Sequence, residues 1–596
     1  MRMLKSGLLC AAVLAVTFAS APLRAQEKVK IDDAALRHAA ENGNDWITYG
    51  HDYADTHYSP LKQIDTSNAA RLGLAWYFQT DSDPGTEEAN PVVANGTMYV
   101  TTAWDLLYAV DARTGKLKWS WDPKIGHMNF PRGSENNPNR VRTGPSLCCG
   151  PGNRGVAIYE GKVYIGTLDG RLVALDADTG KVLWDVRTAG ANTDYSITGA
   201  PRVIRGNVVI GNGGGEYNVR GYVSAYNAET GKLIWRFYTV PGEPDNPMEA
   251  KAMKMAEKTW TGNLHDHIGG GNPWNAISYD PKLNLIYIGT GQGGPWVRKY
   301  RSPGGGDNLF ICSIVALHAD TGKFAWYFQE TPGDVWDYDS TADITLADLK
   351  INGKLRHVAM QAPKNGYFYV IDRTNGKFIS GAPLVRVTWS KGLDPKTGRP
   401  DIDPNAFYDE KPATVWPGPG GGHVWQGMSF NPETKLVYIP GMSGSPFTYI
   451  ADPNYKYKLG AYDFAIIFRR PAAPRPGAAG ETPPPPRMTP FLVAWDPVTE
   501  TKRWLRSTMG GGGTLSTAGG LVFAASDTGD FEALNAADGK TLWKVKLTPG
   551  FGNPITYSID GKQYVSVLCG RTGKSRLYTF AVDANTPMPA SPFSGH

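Results

Sequence analysis

Cysteine is scarce in this chain, five residues in 596, and no Cys-x-x-Cys-His run occurs, so the sequence holds no attachment motif for a c-type haem. Neither charge sign prevails: 61 Lys and Arg stand against 56 Asp and Glu, which excludes the strongly basic balance of a dedicated nucleic-acid binder. A charged share of 20% beside 41% hydrophobic residues excludes a disordered chain. Beyond residue 21 no apolar run approaches the roughly 20 residues that cross a bilayer as a helix. Glycine and proline are abundant instead, 70 and 44, which favours turn-dense β structure over helical bundles. The 18 Trp, in a chain of mean hydropathy −0.34, demand a structural use. At roughly 150 residues per domain the length suggests four domains, although large closed β folds exceed that size as single units.

The N-terminus reads as a secretory signal over residues 1–25. Arg2 and Lys5 precede an apolar run from Gly7 to Ala21, and Leu23-Arg24-Ala25 before Gln26 offers a small residue for cleavage. Cys10 within the run leaves lipid attachment as an alternative. The expected mature chain, 26–596, is exported to the oxidising periplasm with four cysteines: Cys148, Cys149, Cys312 and Cys569. Arg2, Lys5 and Arg24 supply three of the five net positive charges, so the slight basic bias belongs mostly to the signal.

One phrase recurs. Ala109-Val-Asp-Ala-Arg-Thr-Gly-Lys-Leu-Lys-Trp119 has counterparts ending at Trp184, Trp235 and Trp326, with looser copies at Ala494–Trp504 and Ala533–Trp543. Val370–Ile379 is a copy without the Trp, and Asp65–Trp76 is read as a degenerate first member, making eight. Each copy reads as strand, tight turn, strand, with Asp or Asn capping the turn and Gly supplying positive φ. One copy would be an ordinary hairpin. Repetition, with a Trp available to wedge between neighbouring sheets, predicts an all-β, eight-bladed β-propeller occupying 26–596 as a single domain. Trp504 and Trp543 lie 39 residues apart, about one bare blade. Trp235 to Trp326 takes 91 residues and Ile379 to Trp504 about 124, so both intervals carry inserted loops, where chemistry is usually placed. Residues 471–487, rich in proline, read as a surface insert.

Cys148-Cys149 is the rarest local feature. Adjacent Cα atoms lie about 3.8 Å apart, under the usual disulfide minimum of about 4.4 Å, so the pair is either two separate thiols or a strained ring. In company with Glu88-Ala-Asn-Pro91, Cys148-Cys-Gly-Pro-Gly-Asn-Arg-Gly155, Thr198-Gly-Ala-Pro201, Gly214-Gly-Glu-Tyr-Asn-Val-Arg-Gly221, Gly269-Gly-Gly-Asn-Pro-Trp274, Tyr279–Gly291, Trp336-Asp-Tyr-Asp339 and Lys364-Asn-Gly366, it resembles the quinoprotein alcohol dehydrogenases. These enzymes use pyrroloquinoline quinone (PQQ) and include methanol and ethanol dehydrogenases. The resemblance covers essentially the whole mature chain.

It implies a planar cofactor held between a Cys148–Cys149 ring and Trp274. Arg154, Thr198 and the Gly214-Gly215 backbone would hold its carboxylates and ring oxygens, with Glu88 near the rim and Lys364 at the quinone oxygens. Glu216 and Asp337 match calcium ligands. The third ligand position, an Asn in the family, is Gln292 here. Asp337 also matches the base that takes the alcohol proton as hydride passes to the cofactor. Asp339, two residues on, matches the extra acid of lanthanide-dependent members, or else serves as a capping residue or outer-sphere acid beside calcium.

Two departures bear on the substrate. Val424 stands where relatives commonly have Asn, and Met509-Gly-Gly-Gly-Gly-Thr-Leu515 has glycine where small-alcohol enzymes have a Trp wall. Space there predicts a bulky or secondary alcohol, with Trp389, Trp416, His423, Trp425, Phe407 and Tyr408 as candidate lining residues. His265-Asp266-His267 is read as a polar loop near the site mouth. Without a haem motif, electrons are expected to leave to a separate soluble cytochrome c. The alternative is a non-catalytic propeller scaffold of the outer-membrane assembly type, which explains the repeats but not the Cys148-Cys149, Trp274, Glu216 and Asp337 set.

Overall fold

In the computed structural model, eight blade sheets follow one another around a closed ring, seven of four antiparallel strands and one whose four antiparallel strands gain the two-residue strand Tyr58–Ser59 in parallel. The structure describes residues 28–590 except 83–86, 126–144, 146, 190–193, 243–249, 263–268, 463, 468–487, 527 and 571–574. The signal segment, the His265–His267 loop and the proline-rich insert therefore lie outside the described residues. Seven blades are continuous in sequence, beginning with Val92–Ala94, Thr97–Thr101, Leu107–Asp111 and Leu117–Trp121.

The eighth blade closes the ring. Ile555–Ile559, Lys562–Cys569 and Arg576–Val582 come from the C-terminal end, and the outer strand Leu72–Gln79 comes from the N-terminal end. This corrects the reading of Asp65–Trp76 as one copy of the phrase. Trp76 does hold the repeat position, but its strand pairs with Arg576–Val582, with Trp76 opposite Thr579, and the turn is replaced by the two chain ends meeting. Asp65 instead caps a local turn through the amides of Ser67 and Asn68. Arg71 and Asp583 form an ion pair across the closure.

The repeated Trp and Gly work across blade boundaries. Trp543 donates to the Leu72 carbonyl at 2.8 Å, while five of the repeated indole N–H groups donate to the main-chain carbonyl of the second Ala of the following blade's phrase: Trp76 to Ala112 at 3.2 Å, Trp119 to Ala177 at 3.0 Å, Trp184 to Ala228 at 3.1 Å, Trp235 to Ala319 at 2.9 Å, and Trp504 to Ala536 at 3.0 Å. The same ring lies flat on that phrase's glycine. A Cβ at Gly180 would sit 2.6 Å from Trp119, and one at Gly322 would sit 2.4 Å from Trp235. Gly is needed twice over here, for its positive φ and for this contact.

The exceptional copy follows the same logic. Val370–Ile379 carries Arg373 in place of the second Ala, and the Trp326 indole N–H has no partner. Ser380 stands at the Trp position, opposite Val370, and Phe378, opposite Ile371, packs on Gly398 in an inserted hairpin of Ser390–Leu393 and Pro400–Ile402. The next blade's own turn, relieved of that contact, has Glu500 where the glycine would be.

Candidate functional site

The residues singled out above come from several blades and converge on the loops at one end of the ring. Cys148 and Cys149 are joined as a vicinal disulfide. Their sulfur atoms and a Glu216 carboxylate oxygen all lie within 4.8 Å of one another. Oxidised sulfur offers no thiolate to a metal, so this trio reports proximity: the disulfide ring borders the Glu216 carboxylate.

Glu216 is placed by a tight turn. Gly214 has φ +97°, and a Cβ there would meet the Asp194 carbonyl at 2.5 Å. A Cβ at Gly215 would sit 2.9 Å from Asn272 Oδ1 and 3.0 Å from Gln292 Nε2. These two glycines let the Glu216 turn approach the Asn272 and Gln292 loops, and burial raises the Glu216 carboxyl pKa.

Opposite it, Lys364 Nζ lies 2.8 Å from Asp337 Oδ2 and 2.8 Å from Asp339 Oδ2. Asp339 Oδ1 accepts the Gln292 backbone N–H at 2.7 Å, and the Gln292 side-chain N–H points to Glu216 Oε1 at 3.4 Å. Burial pushes the Asp337 carboxyl well up, with Lys364 opposing it. Burial alone would lower the Lys364 ammonium, but Asp337 and Asp339 outweigh that and its pKa rises. Two carboxylates thus share one ammonium in a nearly enclosed space, with the Glu216 carboxylate joined to them through Gln292. That donor set, hard oxygens with more negative charge than Lys364 offsets, fits a multivalent cation. An orphaned buried acceptor, Asn272 Oδ1, lies at its edge.

The second cluster surrounds Trp274. The Arg154 guanidinium lies over its ring, 4.6 Å from the centroid, donates to Thr198 Oγ1 at 2.8 Å, and pairs with Glu88. Backbone bonds lock these segments together: Arg154 N–H donates to the Thr198 carbonyl, and Asn90 N–H donates to the Arg154 carbonyl. A flat indole, a guanidinium over it, a hydroxyl and a disulfide ring fit a planar, anionic cofactor. The residues predicted for cofactor and cation therefore come together as two adjoining clusters.

The predicted substrate wall fares differently. A Cβ at Gly510 would meet the Phe491 carbonyl at 2.8 Å, at Gly512 the Gly552 carbonyl at 2.6 Å, and at Gly513 Asn553 Oδ1 at 1.8 Å. These three glycines are demanded by close packing, so their lack of a side chain reflects neighbouring atoms and does not by itself show space for substrate. Trp389 is wholly buried, its N–H donating to the Asn365 carbonyl at 2.8 Å, so it braces the Lys364 loop. Both His423 nitrogens lie 2.7 Å from backbone carbonyls, of Ala362 and Gln426. Tyr408 hydrogen-bonds the Val335 carbonyl, Phe407 stacks beneath the Arg298 guanidinium, and the Trp416 indole donates to Ser443. Val424 and Trp425 are half-buried, on a loop whose Gly421 touches Lys364. Sequence reasoning missed Arg301 and Asp334, buried beneath this loop system; each is a lone charge with no motif to flag it.

An eight-bladed propeller whose end loops join a disulfide ring, an indole and a carboxylate cluster defines the class of dehydrogenases built around a planar quinone. The chain belongs to the PQQ-dependent alcohol dehydrogenases: residues 46–391 and 494–565 match the family described as "PQQ: Glucose/ethanol/alcohol dehydrogenase, beta-propeller domain". It is 46% identical to quinohemoprotein alcohol dehydrogenase ADH IIB of Pseudomonas putida, over 94% of this chain and 80% of that protein. The solved quinohemoprotein alcohol dehydrogenase of Comamonas testosteroni superposes with TM-score 0.85 at 43% identity, covering 94% of this chain and 84% of that one. A europium-containing methanol dehydrogenase superposes with TM-score 0.78 at 31% identity, covering 92% of this chain and all of that one.

Proposed function

We propose that this alcohol dehydrogenase binds PQQ between the Cys148–Cys149 ring and Trp274, beside a cation held by Glu216, Gln292, Asp337 and Asp339. Arg154, Thr198 and the Gly214 and Gly215 backbone take its carboxylates and ring oxygens, with Glu88 fixing Arg154. Bound PQQ supplies the hydride acceptor, and the cation polarises its reactive carbonyl. Asp337 takes the alcohol hydroxyl proton, and burial, which raises its proton affinity, suits it to that task. Lys364, bridging Asp337 and Asp339, keeps both side chains in place and brings a positive charge to the quinone oxygens. The observation that carries the reading is this bridge: two carboxylates at 2.8 Å from one ammonium, with Glu216 close by.

Asp339 is read as the ligand that lets the site take a trivalent lanthanide as well as Ca2+. Three carboxylates match a trivalent ion better than two and a neutral side chain would. Europium in a structural neighbour of the same fold supports this.

The substrate is read as an alcohol bulkier than methanol, secondary ones included. Support rests on Val424, an apolar side chain on the loop against Lys364, because close packing at Gly510, Gly512 and Gly513 does not by itself show open space. Dye-linked turnover should favour a cyclic secondary alcohol over methanol by at least about tenfold in kcat/KM, roughly the discrimination that a few methylenes in an apolar pocket supply. Exclusive activity on methanol would overturn this reading. Electrons are proposed to pass to a separate cytochrome c, and the signal at residues 1–25 to direct the enzyme to the periplasm. Among the described residues no helix is long and apolar enough to cross a membrane.

A further inference from the structure

Asp337 is held in a conformation that its residue type disfavours, with φ +70°. Its neighbours are fixed from both sides. Asp334 Oδ1 accepts the backbone N–H of Trp336 at 3.1 Å and of Tyr338 at 3.2 Å, the two residues flanking Asp337. Arg301, only 3% exposed, reaches the same loop through the Asp334 carbonyl at 2.5 Å. Its other N–H groups donate to the Pro295 and Trp296 carbonyls at 2.7 and 3.0 Å and to Asn308 Oδ1 at 3.2 Å. The Nε–H also reaches Asn308 Oδ1, so the whole guanidinium fork is used.

The loop that Arg301 grips on its other side runs directly on from Gln292. A Cβ at Gly293 would lie 2.7 Å from the guanidinium carbon, so glycine there admits the cation. Burying a guanidinium among neutral acceptors is costly. An apolar side chain would fill that space at less cost, but it could not join a loop bearing one ligand candidate to a loop bearing two others. Lysine, with three donors and no fork, could not reproduce the pattern.

We infer that Arg301 and Asp334 form a clamp that positions Asp337, and through the 293–296 loop Gln292, for cation binding and proton abstraction. Both are positioning residues. The inference rests on the proposed roles of Asp337 and Gln292. It predicts that the clamp acts on cation affinity and on kcat together, leaving KM nearly unchanged.

The test measures the affinity of the cofactor-free full chain for Tb3+, by sensitised luminescence, together with steady-state kinetics of the PQQ-reconstituted enzyme. Arg301→Lys keeps the charge and should weaken Tb3+ binding about 10- to 100-fold, the usual range for partners that orient metal ligands. Asp334→Ala should do the same, while Asp334→Asn, which keeps one acceptor oxygen, should recover most of the loss. A fall in kcat with KM within about threefold should accompany the weaker binding. If Arg301→Lys does not fold, the Asp334 pair carries the test alone. Folded Arg301→Lys and Asp334→Ala enzymes that bind Tb3+ and turn over like wild type would overturn the clamp. Asp337→Asn serves as the reference: if it leaves Tb3+ affinity unchanged, the ligand assignment itself fails and the clamp's role falls with it.

Discussion

Asp337→Asn is expected to lower kcat by about 10³-fold, within the range that a positioned acid–base group contributes. The amide keeps the volume and one acceptor oxygen, so packing around φ +70° is preserved and the loss is chemical. An Asn oxygen cannot take the alcohol proton, and the Lys364 ammonium, now facing Asp339 alone, loses one of its two anionic partners. KM should move little, because the loss falls on the transition state. Measuring cation content beside kcat separates the two roles of the side chain. An enzyme that retains its cation but turns over poorly has lost the base, whereas turnover within tenfold of wild type would remove Asp337 from proton transfer.

Asp339→Ala is expected to change which ion works. In the folded site its Oδ2 pairs with Lys364 and its Oδ1 accepts the Gln292 backbone N–H, so a cation would share an Asp339 oxygen with one of these partners. Removing it takes one unit of negative charge from the set of three. A trivalent ion should suffer more than a divalent one, by at least about tenfold in activation, since each tenfold corresponds to roughly 1.4 kcal/mol of lost binding. Ca2+-supported turnover should stay within about threefold, reflecting the unchanged Glu216 and Asp337. Activation profiles for La3+ and Ca2+ that coincide with those of wild type would show that Asp339 does not discriminate metals.

The blades were legible because their signal is local. Asp, Thr-Gly and Trp recur at fixed spacing, and each has a job inside one turn or one inter-blade contact. Closure was not legible, because the eighth hairpin is split between Arg576–Val582 and Leu72–Gln79, whose pairing no local window contains. The residues proposed to hold cofactor and cation carry ordered motifs in the sequence, and the structure brings them together. The glycine run at 510–513 could not be interpreted from sequence for a physical reason: a missing side chain can mean open space or a close neighbour, and close neighbours are what Gly510, Gly512 and Gly513 have. Arg301 and Asp334 carried no signal, since an isolated arginine and one more acid in a loop look like solvated surface until their hydrogen bonds are seen.

The roles proposed for the cofactor and cation residues require one built site for a quinone and a cation. Its most direct test is a titration of the purified cofactor-free protein with PQQ, in parallel with Ca2+ and La3+, followed by absorption and by dye-linked alcohol oxidation. One PQQ bound per chain, with dye reduction that needs both the quinone and a cation and is lost in Glu216→Gln, is the predicted result. No quinone binding with either ion, or cation-independent turnover, would contradict it.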